Sequence, residues 1–172
     1  MNSSPGYPPG APYPYALGAA AKQAARTGWP GRLITLFISM ALFTIACACP
    51  ALNFRRSDGD MQIWPGLHVL EMGWLGLMFK QIAWCANPVL VLSLVFFLFR
   101  RWLTAIVIAL VALAIAANTF LLFSRDLPAD EGNVIRLRLE RLGPGFYFWI
   151  ASIVAVIIGS IILRRHHSAR SN

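Results

Sequence analysis

The chain is predicted to adopt an all-α transmembrane fold: a four-helix antiparallel bundle with a small extracytoplasmic cap of short strands or an interfacial helix. Three observations point there. Four stretches carry no charged side chain, Leu33 to Leu52, Ile82 to Phe99, Trp102 to Phe123 and Phe146 to Leu163. At 1.5 Å per helical residue each is near the length that crosses a hydrocarbon core of roughly 30 Å. Apolar residues make up 58% of the 172 residues and charged residues 13%, which leaves too little polar surface to keep a soluble globule in water. Uninterrupted apolar runs also lack the alternation of a β-barrel, and helices are the remaining way to bond every backbone group within lipid.

Residues 1–31 are expected to be a Pro/Gly/Tyr-rich cytoplasmic tail without a fold. Pro5, Pro8, Pro9, Pro12 and Pro14 alternate there with Gly6, Tyr7, Gly10 and Tyr13. The tail serves as a spacer or docks on an aromatic groove of a partner protein. The membrane domain follows over 32–164, and 165–172 form a basic tail. Ala46-Cys47-Ala48 has the small-x-small form of a signal cleavage site, but the long polar segment before it, and Thr44 three residues ahead of Cys47, favour a retained first span.

Spans two and three are separated only by Arg100 and Arg101. Two arginines at mid-membrane cost several kcal/mol, so a tight hairpin at the headgroups is expected there, anchored by Trp102. An even number of spans puts both termini on one side. That side holds eight basic residues and no acid, the other seven basic residues and all seven acids. Arg32, Arg100, Arg101, Arg164 and Arg165 abut span ends, where positive charge directs insertion, so both termini are assigned to the cytoplasm. The net charge of +8 then reflects topology and contact with anionic membrane lipids; no nucleic-acid partner is implied.

Two outer loops remain. Asp58-Gly59 between Asn53 to Arg56 and Met61 to Trp64 has the composition of a hairpin. Ile135, Leu137 and Leu139 alternate with Arg136, Arg138 and Glu140, as a third strand would, yet Ile135, Leu139 and Leu142 also suit an amphipathic helix. Leu67 to Phe79 is apolar but too short to span, and is expected as a re-entrant or surface-lying helix. Within it His68 and Glu71 share a helical face, suited to a proton-transfer pair, a cation site or a mutual hydrogen bond.

Few residues suggest chemistry. Cys47, Cys49 and Cys85 lie near the outer ends of spans one and two, with Met61, Met72 and Met78 close in topology. Such soft ligands suit copper(I) or a disulfide, but the spacing matches no zinc pattern and packing is the favoured role. No metal or other cofactor is assigned. Asn87 and Asn118 lie at comparable distances from the hairpin turn and are expected to bond across spans two and three, or to line a polar path in an oligomer. Ala105, Ala109, Ala112 and Ala116 stripe span three, and Ala151, Ala155 and Gly159 stripe span four, so these faces are expected to meet. No catalytic grouping or phosphate loop is found, and no enzyme is predicted.

Cys49-Pro50-Ala51, Pro65-Gly66, Gly73-Trp74-Leu75-Gly76, Ala83-Trp84-Cys85-Ala86-Asn87-Pro88 and Gly143-Pro144-Gly145-Phe146-Tyr147-Phe148-Trp149-Ile150-Ala151-Ser152 together resemble a family of small uncharacterised bacterial four-span membrane proteins. The resemblance spans about Leu33 to Leu163 and implies a bacterial inner-membrane protein with the same helical plan. It transfers no activity. The expected role is a non-enzymatic accessory or interaction component; an oligomeric solute or ion conduit and an immunity-type protein are the alternatives.

Overall fold

The computed structural model describes residues 29–128 and 136–169. Helix α1 (Trp29–Ala48) leads into strand β1 (Pro50–Arg56), which turns into β2 (Met61–Pro65). Helix α2 (Gly66–Met72) continues as a 3₁₀ segment (Gly73–Phe79), and a second 3₁₀ turn (Ala83–Cys85) opens α3 (Ala86–Leu98). Helix α4 (Trp102–Ala116) is extended by 3₁₀ turns (Ala117–Phe123), followed by β3 (Asp126–Pro128), β4 (Arg136–Leu142) and α5 (Pro144–Ser168).

By length and composition three helical segments can cross a membrane: Pro30–Ala48, Trp102–Phe123 and Pro144–Ser168. The fourth apolar segment, Ala83–Leu98, is shorter, reaching roughly 25 Å with its 3₁₀ turn. Pro88 falls in its first turn, where a missing N–H removes no helical bond. Two expected boundaries shift. The first helix stops at Ala48 instead of Leu52, because Pro50 cannot continue the ladder and the apolar residues Ala51 and Leu52 are buried in the sheet. The last helix runs past Leu163 to Ser168, with Arg165 in its final turn, where a cation complements exposed carbonyls.

Helix α5 is the hub. It packs against α1 on one side and α4 on the other, while α3 packs on α4 and barely reaches α1. The alanine stripe of α4 is wholly buried, but its partners in the core cluster include Ile153 and Val156 of α5, not the expected Ala155 and Gly159. Gly159 points at α1 instead. A Cβ added there would lie 2.2 Å from Thr35 Cγ2, so only glycine allows this approach. Ser39 Oγ, on the same seam, donates to the Ser152 carbonyl at 3.0 Å. Within lipid such a bond offers little alternative partnering, and is worth about 1 kcal/mol.

The hairpin between α3 and α4 forms as expected at Arg100 and Arg101. Arg100 adopts φ 62°, and the N–H groups of Arg100 and Arg101 donate to the carbonyls of Phe97 and Phe96, closing a Schellman turn. The start of α1 lies at the same end: Arg32 Nη1 donates to the Leu98 carbonyl at 3.4 Å, and Gly31 sits against Leu163. Arg32, Arg100, Arg101, Arg164 and Arg165 therefore share one end of the bundle.

At the other end stands a four-stranded antiparallel sheet in the order β2-β1-β4-β3. Phe54 pairs with Gln62 and Leu139, and Leu137 and Leu139 are buried while Arg136, Arg138 and Glu140 are exposed. The alternation in the second loop is thus a strand and not an amphipathic helix, because β1 offers it a partner and a buried face. Ile135 lies outside the described residues. The buried face of Ala51, Leu52, Phe54, Leu137 and Leu139 rests on Leu122 and Val69.

Candidate functional site

Between the ends of the helices, the sheet and the α2 segment lies a partly open cavity of about 350 Å³. Phe43, Ala46 and Cys47 of α1, Phe146 and Trp149 of α5, and Phe54 and Leu137 of the sheet contribute to its wall. The α2 segment completes the enclosure, seated by a second close approach. A Cβ on Gly73 would come within 2.7 Å of the Trp84 ring, and Trp84 Nε1 donates to the Leu70 carbonyl at 2.8 Å. Without the indole bond and the bare Gly73 the segment would stand off from α3.

The segment ends in a second Schellman turn. Lys80 takes φ 59°, its N–H donates to Leu77, and the N–H of Gln81 donates to Gly76 at 2.9 Å. The second residue past such a cap normally makes an apolar contact with the last turn; here that place is held by glutamine. Gln81 is 9% exposed and lines the cavity. Its Nε2 donates to the Asn118 carbonyl at 3.2 Å, which leaves Oε1 buried with no hydrogen-bond partner. Trp64, another lining residue, has its Nε1 buried without a partner as well. Each such orphan costs about 1–3 kcal/mol of desolvation.

The sequence-predicted candidates divide. Asn87 lines the cavity, but its Oδ1 accepts from Trp149 Nε1 of α5 at 2.9 Å. Asn118 Oδ1 accepts the backbone N–H of Ile82 at 3.0 Å. The expected bond between the two asparagines is therefore replaced by bonds to α5 and to the segment ahead of α3; equal distance from a turn did not bring the side chains together. His68 and Glu71 sit on α2, yet neither carries a bond to the other among those described; the His68 ring packs edge-on against Trp64 at 5.2 Å, and Glu71 is exposed. Cys47, Cys49 and Cys85 are all free thiols and half-buried, and only Cys47 lines the cavity. Among the described residues no group of three or more His, Cys, Asp and Glu side chains is arranged to hold a metal.

Sequence reasoning passed over Gln81 and read Trp64 as the end of a short extended piece with an indole suited to the interface. A single glutamine ahead of an apolar run and a tryptophan at an alternating strand position carry little signal; only the assembled enclosure gives them a common setting. No charged side chain lines the cavity among the described residues. No protein-family model, curated protein or solved structure matches the chain.

Proposed function

We propose that the chain is a non-enzymatic multi-pass protein of the bacterial inner membrane, whose four helices hold the sheet and α2 as an extracytoplasmic interaction surface. The observation that carries this reading is the separation of ends. The span-flanking arginines Arg32, Arg100, Arg101, Arg164 and Arg165 lie at the end opposite the sheet, and positive charge beside span ends is retained in the cytoplasm. Apolar side chains facing outward along the helices, among them Phe37 at 75% and Val91 at 60% exposure, suit lipid as their solvent. The shorter α3 is accommodated by local thinning of the bilayer or by tilt, each at a modest cost.

In this reading the side-chain carbonyls of Asn87 and Asn118 serve packing within the protomer. Reporters fused after Arg101 and after Asn133 are expected to read cytoplasm and exterior respectively. The reverse pattern would invert the topology. Photocrosslinkers at exposed Met61 on the edge strand β2 should then trap a membrane protein in native membranes, and crosslinks to lipid alone would argue against an interaction role.

A further inference from the structure

From the basic end of the bundle we infer a binding site for one anionic phospholipid, held in the groove between the start of α4 and the end of α5. The inference rests on these helices crossing a membrane, and it holds whichever way they cross. A groove of about 410 Å³ opens there, walled by Ile106 of α4 and by Ile161, Arg164, Arg165 and Ser168 of α5. Ile161 precedes the two arginines by one helical turn, so it lies about 5 Å closer to the middle of the bundle than they do. Ile106 likewise stands one turn inside Trp102, the indole at the start of α4. An apolar wall one turn beneath two cations has the profile of a lipid, in which acyl carbons hang below a phosphodiester.

Charge decides the class of lipid. The acidic side chains among the described residues, Asp58, Asp60, Glu71, Asp126 and Glu140, all belong to the sheet, its turn and α2, and the ion pairs Arg55–Glu140 and Arg56–Asp58 lie there as well. No carboxylate side chain of the described fold therefore balances Arg164 and Arg165, or Arg100 and Arg101 at the same end. The counter-charge comes from outside, and at a membrane boundary the abundant anion is the lipid phosphate. A zwitterionic headgroup would add an ammonium to an end that already gathers cations, which favours a lipid of net negative charge. Helix dipoles do not alter the choice, because the partial negative charge at the end of α5 is offset by the positive one at the start of α4. Size agrees: at roughly 30 Å³ for each water-sized group, the groove holds a phosphate with its glycerol.

The test titrates the full chain in nonionic detergent with phosphatidylglycerol and counts bound lipid by native mass spectrometry, at about 0.15 M salt, where the screening length is about 8 Å. One phosphatidylglycerol should bind saturably and about tenfold or more tightly than phosphatidylcholine. Arg164→Gln with Arg165→Gln should weaken it about thirtyfold, roughly a factor of five for each arginine. Arg100→Gln with Arg101→Gln removes the same charge from the same end but outside the groove, and should cost about threefold or less. All four side chains are exposed, so folding is retained. Ile161→Trp keeps every charge and fills the groove, and should abolish the preference over phosphatidylcholine. Equal losses from the two arginine pairs would reduce the effect to general attraction by the basic end and overturn the site. Phosphatidylcholine binding as tightly, or an unchanged preference in Ile161→Trp, would do the same. Displacement by millimolar inorganic phosphate would overturn the lipid in favour of a free phosphate. A chain that resists alkaline carbonate but lacks the preference sinks this site alone, whereas a chain that carbonate releases from vesicles removes the membrane reading beneath it.

Discussion

Replacing Gly159 by alanine tests the α1–α5 seam with a single methyl group. The added carbon would sit 2.2 Å from Thr35 Cγ2 and 2.5 Å from Thr35 Oγ1, both on a side chain with little freedom to retreat within a helix. Overpacking of this kind costs about 1–3 kcal/mol. Alanine returns roughly 0.5–1 kcal/mol through its better helix propensity, so the net effect of Gly159→Ala is expected between about zero and a loss of about 2.5 kcal/mol. Thr35→Ala removes both of those atoms and keeps the helix, with only the Oγ1 bond to the Gly31 carbonyl given up. The Cβ of residue 35 stays 2.9 Å from the added carbon, so the double variant should regain part of the loss, with a coupling of about 0.5–1 kcal/mol. Reversible unfolding in mixed micelles, followed by tryptophan fluorescence, measures all four corners of the cycle. Additive effects in the cycle would mean that α1 and α5 do not meet along this line.

Two further substitutions probe the cap. Lys80 holds a left-handed conformation that costs an L-residue about 1–2 kcal/mol, so Lys80→Gly should stabilise the protein by up to about 1 kcal/mol and raise the unfolding midpoint, whereas Lys80→Val should lower it. Phe54 is fully buried and its ring packs on Trp64 at 4.7 Å, so Phe54→Ala should cost about 3–5 kcal/mol; proteolysis of reconstituted protein should then cut at 50–65 first, with the helices still protected.

Helices and hairpins were legible where local chemistry decides them. Pairs of arginines between apolar runs announced the α3–α4 turn, and Asp58-Gly59 announced β1–β2. The end of α1 was not, because apolarity alone cannot tell a lipid-facing helix from the underside of a sheet, and Ala51 and Leu52 satisfy both descriptions. The strand at Arg136–Leu142 was undecided until β1 provided its partner, since alternation and a helical stripe fit the same residues. The cavity was invisible for a different reason. Its walls come from α1, the sheet, α2 and its 3₁₀ continuation, the start of α3, the 3₁₀ extension of α4, and α5, so no contiguous stretch of sequence describes it. Packing of the small residues was half right: the α4 stripe is buried, but which α5 face it meets depends on the rotation of α5, which a repeat of every fourth residue leaves open.

The pairing of α1 with α5, and of β1 with β4, has a consequence for biogenesis. During synthesis the first helix enters the bilayer long before its principal neighbour exists, and the central strand waits for residues 85 positions downstream, as the register of Phe54 with Leu139 requires. Contacts between such distant parts form late and slowly. Until the ribosome has delivered the last helix, the nascent chain must persist as a loose set of rods with an unroofed lipid-side cleft, the interval in which an insertase or a chaperone has most to offer it.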